Sequence, residues 1–142
     1  MIAVKKLYHN VLWLLKGIHV FGLSGPAGTG KSFRSQLVVK KYNIDLLIDD
    51  GLLIKEQQII AGKSAKQSPG IYSAIKTALF HDTAHRLEVR KALSHQKFKR
   101  ILIIGTSNGM VKKIAKRLDL PAPHKIIQIE EIATKEEIEK AR

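Results

Sequence analysis

The chain has 142 residues and carries 25 Lys and Arg against 12 Asp and Glu, a formal charge of +13. Hydrophobic residues at 44% and charged residues at 26% match an ordinary globular domain and exclude wholesale disorder. The absence of cysteine excludes thiolate catalysis, Cys-ligated zinc and a disulfide framework, and points to a reducing, cytoplasmic setting. The length fits a single domain over residues 1–142. No apolar run approaches the roughly 18 residues of a membrane span, so none is expected.

In chain order, Val4 to Lys16 place Leu7, Val11, Leu14 and Leu15 at helical spacing, which predicts a short amphipathic helix, or else a strand, stopped by Gly17. His19 to Leu23 is a short apolar run, read as a buried strand, that feeds the glycine-rich segment Ser24 to Gly30. A helix over Lys31 to Lys41 follows. Asp45 to Ile48 predicts a second strand ending in Asp49-Asp50-Gly51, where Asp50-Gly51 is also a hairpin signal. Leu52 to Ile54 and Ile59-Ile60 suggest one or two more strands, and the polar Gly62 to Gly70 a loop. From Tyr72 to about Ser94 there is no Gly or Pro, which predicts the longest helix. Arg100 to Gly105 reads as another buried strand, Thr106 to Gly109 as its turn into a helix ending before Pro121, and Ile126 to Ile129 as a last strand. Thr134 to Glu137 has capping-box form and opens a final helix. Apolar strands alternating with helices predict an α/β three-layer sandwich, its mostly parallel central sheet flanked by helices.

Residues 25–32 read Gly25-Pro26-Ala27-Gly28-Thr29-Gly30-Lys31-Ser32 and match G-x-x-x-x-G-K-[ST] at every fixed position. The spacing has a physical basis. Glycines admit backbone turns that aim successive N–H groups at phosphate oxygens, and the following helix adds its positive N-terminal end. Lys31 can then reach the terminal phosphates, and the Ser32 hydroxyl can ligate Mg²⁺. The apolar strand before and the helix after supply the context the motif requires.

On these residues the chain resembles the P-loop NTPases over its nucleotide-binding core. The resemblance implies the P-loop fold, Gly25 to Ser32 as the phosphate loop (Walker A), Mg-ATP or, second, Mg-GTP as ligand, and phosphoryl transfer or slow hydrolysis as chemistry. Such sites hold Mg²⁺ with a further acid at a strand end, and Leu46-Leu47-Ile48-Asp49-Asp50 has that form, whereas Ile101 to Ile104 ends in Gly105-Thr106. The acid pair on the first strand after the phosphate loop is similar to small-molecule kinases of this class. It implies Ser32 and Asp49 as Mg²⁺ ligands, with Lys31, Asp49 and Asp50 as the catalytic set. A plain Asp-Asp-Gly turn closing the strand is the alternative.

Thr106-Ser107-Asn108 lies where a strand of an open α/β sheet ends, so its side chains either contact a ligand or cap the next helix. Lys63, Lys66, Arg86 and Arg90 are candidates for a further cation on the phosphates. His81 and His85 share the spacing of a zinc helix motif, but Asp82 stands where its glutamate base would be, and a structural pair is favoured. The cluster Lys97 to Arg100 with Lys112, Lys113, Lys116 and Arg117 suits a solvated face or an acidic partner domain better than nucleic acid, because it lacks interleaved aromatics. Two alternatives to an enzyme acting alone stay open: a nucleotide-switched docking module without catalysis, and a nucleic-acid-dependent ATPase using that basic face. The short, highly charged end after Thr134 and the unbalanced positive charge suggest an excerpt of a longer protein.

Overall fold

The computed structural model describes residues 16–28 and 30–132. The expected N-terminal helix, Thr29 and the helix from Thr134 lie outside the described residues. The elements run β1 (His19–Ser24), α1 (Lys31–Tyr42), β2 (Leu46–Asp49), β3 (Leu52–Lys55), β4 (Gln58–Gly62), a short 3-10 turn (Ala65–Gln67), α2 (Gly70–Ala78), α3 (Thr83–Ser94), β5 (Arg100–Gly105), α4 (Asn108–Arg117) and β6 (Lys125–Gln128). The six strands of the described residues form one sheet in the order β4-β3-β2-β5-β1-β6.

The fold class is α/β, but the sheet is mixed where a mostly parallel one was expected. β2, β5, β1 and β6 pair in parallel, while β3 and β4 add to the β2 edge as antiparallel strands. The cause is local. Asp50 and Gly51 both take positive φ, 55° and 85°, and Glu56 and Gln57 do likewise at 49° and 67°. Two-residue turns of that geometry match strand twist and fold the chain straight back, which leaves no length for a crossover helix.

Alternation along the strands sorts side chains to two faces. Val20, Leu46, Ile48, Ile101 and Ile103 join a core with Phe80, Val89 and Leu93 from the α2–α3 region and Val111 and Ile114 of α4. Phe21, Leu23, Leu47, Leu102 and Ile104 face the other way, onto Val38 and Val39 of α1. Helices therefore cover both faces, and each wholly buried Leu or Ile contributes about 1.5–3 kcal/mol.

The expected helix from Tyr72 to Ser94 is two helices. Leu79 ends α2, Phe80 turns at φ 55°, and Asp82 caps α3 by accepting from the His85 N–H at 3.1 Å. Phe80 is wholly buried and stacked on His85 with ring centroids 4.6 Å apart, and the reversal is what delivers its ring to the core. Helical backbone also resumes at Ile129, earlier than Thr134.

Candidate functional site

Because β1, β2 and β5 are parallel, their carboxyl ends share one edge of the sheet, where ligands bind in open α/β folds. Residues 25–30 leave β1 at that edge and lead into α1. Gly25 is buried and donates its N–H to the Gly105 carbonyl at 3.3 Å, tying the loop to the end of β5. Gly30 is the N-cap of α1 with φ 73°, a left-handed conformation that suits glycine. Among the described residues, no side chain caps the first amides of α1 at the loop's edge. Lys31 folds back over the loop and donates from Nζ to the Pro26 carbonyl at 2.9 Å.

Strand periodicity explains the next contact. Leu47 faces α1, so Asp49, two residues on, points the same way and emerges at the first turn of that helix. There Ser32 Oγ donates to Asp49 Oδ2 at 2.5 Å. Burial pushes the Asp49 carboxyl above the usual aspartate range; the Ser32 hydrogen bond opposes this, as do the charges of Lys66 and Lys31, while Asp50 reinforces it. Burial lowers the Lys31 ammonium, partly offset by the charge of Asp49. Burial thus disfavours the charged form of both groups.

Asp50 diverges from its neighbour. Its Oδ2 accepts from Ser64 Oγ at 2.8 Å and from the Lys66 N–H at 3.3 Å, so this carboxylate fixes the loop before the 3-10 turn. Gly51 is required beside it, because at φ 85° a Cβ would overlap the Lys63 carbonyl. His85, 4% exposed, supports the turn from beneath by donating from Nε2 to the Gly51 carbonyl at 2.7 Å.

A cavity of about 510 Å³ opens here. Ala27, Gly28, Gly30, Lys31, Ser32, Asp49 and Asp50 line one side, with Lys66, Thr106 and Met110 across from them. Of the loop residues, Gly25 and Pro26 lie outside the lining; Gly25 anchors the loop, and Pro26 holds Lys31.

Among the four candidate cations, Lys66 reaches the cavity. Arg90 instead donates to the Arg117 carbonyl at 2.8 Å and pairs with Asp119 at 3.4 Å, while Arg86 lies 3.4 Å from Thr83 Oγ1 on its own helix. Lys63 is exposed and lines no part of the cavity. Ser107 is a helix cap, accepting from the Met110 N–H at 3.1 Å, and Asn108 accepts from Gln128 Nε2 at 2.9 Å. Thr106 alone of that trio lines the cavity. His81 precedes α3 and is exposed while His85 is buried, so the two do not share a helical face. Groups of three or more His, Asp and Glu suited to a metal are absent among the described residues. The basic cluster is divided as well: Lys97 to Arg100 sit at the amino end of β5, away from the cavity, and Arg117 donates to the Leu79 carbonyl at 2.7 Å. Phe33 and Met110 of the lining carried no signal in the sequence, since each reads as an ordinary apolar helix position. No helix of the described residues is long and apolar enough to cross a membrane.

No protein-family model matches the chain, and neither a curated protein nor a solved structure shows significant similarity to it.

Proposed function

We propose that this chain binds a Mg²⁺–nucleoside triphosphate, ATP before GTP, in the cavity at the carboxyl edge of the sheet, and that its chemistry is phosphoryl transfer or slow hydrolysis within a P-loop fold. The observation that carries the reading is the meeting of Ser32 Oγ and Asp49 Oδ2 at 2.5 Å beside Lys31. Two hard oxygen donors, separated by 17 residues in the chain, converge at the start of a helix that follows a glycine-rich loop. That donor pair suits Mg²⁺, which takes one or two protein oxygens and keeps water and phosphate oxygens for the rest.

In this reading, backbone N–H groups of Gly28 to Ser32 receive the phosphates, Lys31 exchanges the Pro26 carbonyl for a phosphate oxygen, and Ser32 and Asp49 hold the metal. The bound Mg²⁺ would neutralise charge developing on the terminal phosphate. A cation there also removes the cost of an ionised, half-buried Asp49. Lys66 supplies a second positive charge facing the loop. Asp50 stands next to the metal position as the carboxylate that takes the acceptor's proton. A reducing, cytoplasmic setting and an acidic partner domain for the basic surface accompany this reading.

Lys31→Ala is the test. The lysine is partly exposed and its one described hydrogen bond is to its own loop, so the fold should survive. Loss of a charge-assisted contact to phosphate costs roughly 1.5–3 kcal/mol, a drop in ATP affinity of about tenfold to a hundredfold by calorimetric titration. Unchanged affinity in a folded Lys31→Ala protein would refute the assignment.

A further inference from the structure

A second cavity, about 540 Å³, adjoins the first and shares Asp50, Lys66, Ala78, Thr106 and Met110 with it. Its chemistry is different. Beyond the shared residues its walls are mainly apolar, chiefly Ile71, Ala74 and Ile75 of α2 with Leu79, while Lys113 of α4 adds one cation, and the volume falls in the range of small-molecule sites. Helix α2 leaves Ile71 71% and Ile75 49% exposed, an arrangement that costs free energy in water unless a ligand covers it.

The position fixes which molecule belongs there. Lys31 and the Ser32–Asp49 pair mark where the terminal phosphates and their metal lie in the nucleotide reading, on which this inference rests. The second cavity meets the first at Asp50, Lys66 and Thr106, whereas the loop residues, Lys31, Ser32 and Asp49 line only the first. An occupant at that junction meets Asp50, the carboxylate next to the proposed metal pair.

We propose that the second cavity binds the phosphoryl acceptor, a hydroxyl-bearing small molecule with a largely apolar body. The body packs against Ile71, Ala74 and Ile75, and the hydroxyl sits at the Asp50–Thr106 end. In the transfer, the acceptor oxygen bonds the terminal phosphorus as the bond from that phosphorus to the bridging oxygen breaks. The electron pair leaves with the nucleoside diphosphate, and the hydroxyl proton passes to Asp50. Oδ2 of Asp50 is held by Ser64 and Lys66, while Oδ1 makes no hydrogen bond among the described residues.

The test uses the full chain with Mg-ATP and a panel of primary alcohols with alkyl and aryl bodies, among them the fluorescent naphthylethanol. Ala74→Phe fills the second cavity without touching the first. Ile75→Gln, at a half-exposed position, serves should the larger side chain disturb folding. The expected result is saturable naphthylethanol binding and alcohol-dependent ADP formation, both weakened at least tenfold in either variant while ATP affinity by calorimetry stays at wild type. Absence of saturable binding, wild-type binding in both folded variants, displacement of the probe by adenosine, or binding without ADP formation from any alcohol would each overturn the proposal. Loss of ATP binding in the wild-type chain would instead overturn the nucleotide reading beneath it.

Discussion

Asp49 sits between two demands, the stability of the fold and the cation capture that we propose. Its folded pKa is raised, chiefly by burial, so the folded protein binds a proton at this site more tightly than the unfolded chain does. The associated stability is present below the unfolded aspartate pKa, about 3.9, and is lost as pH rises through the higher folded value. Asp49→Asn removes the charge, keeps the shape and retains an acceptor for Ser32. It should melt above wild type at neutral pH in the absence of Mg²⁺, and the gain should vanish at pH 3 and below, where both states of wild type are protonated. Melting curves across pH check this, and a variant less stable than wild type at pH 7 would contradict it. Asp50→Asn should behave differently, because Asp50 Oδ2 accepts from both Ser64 Oγ and the Lys66 N–H and fixes the loop before the 3-10 turn. The sequence reading puts Asp49 and Asp50 together in the catalytic set and Asp49 on the metal. Only the strand face of the first and the positive φ of the second separate them, and neither is visible until pairing with β3 is known.

At the scale of elements, the strands were legible and one helix was not. β1, β2 and β5 declare themselves as short apolar runs with polar or glycine-rich ends, and the loop between β1 and α1 is spelled out in glycines. The α2–α3 break was missed because Tyr72 to Ser94 contains no Gly or Pro. Its signal was Asp82, a strong N-cap residue, whose role was obscured by the histidines around it. The break makes a sharp prediction. If Asp82 caps α3, Asp82→Ala costs about 1 kcal/mol in urea unfolding, within the roughly 0.5–2 kcal/mol range of lost caps. In an uninterrupted helix the same change would stabilise, since alanine is the better helix former. The β3–β4 extension was half legible. Asp50-Gly51 carried a hairpin signal, but Glu56-Gln57 holds the same backbone geometry without the glycine or asparagine that usually advertises it.

Across the whole molecule, parallel pairing of β1, β2 and β5 gathers the glycine-rich loop, the acid turn and Thr106 onto one edge, although they are far apart in the chain. The motif in the sequence thereby becomes a site with depth. What no pattern in the sequence foretold was α2 closing a second, apolar chamber beside it, because that depends on where the 3-10 turn and the Phe80 reversal place one short helix. A ligand bridging β1, β2 and α1 should stabilise the entire fold. At about 100 times its dissociation constant the gain is roughly 2.7 kcal/mol, near 8 °C in melting temperature for a domain of this size. Millimolar ATP with Mg²⁺ that leaves the melting temperature unmoved would count against nucleotide binding.

The most direct measurement of the central claim is calorimetric titration of ATP into the wild-type chain and into Asp49→Asn, each with Mg²⁺ and with EDTA in its place. Binding through the Ser32–Asp49 pair predicts that Mg²⁺ strengthens ATP binding to the wild type by at least tenfold and that this gain is largely lost in Asp49→Asn, while the metal-free affinities of the two proteins stay close. An ATP affinity indifferent to Mg²⁺ in the wild type, or a full Mg²⁺ effect in the variant, would contradict it.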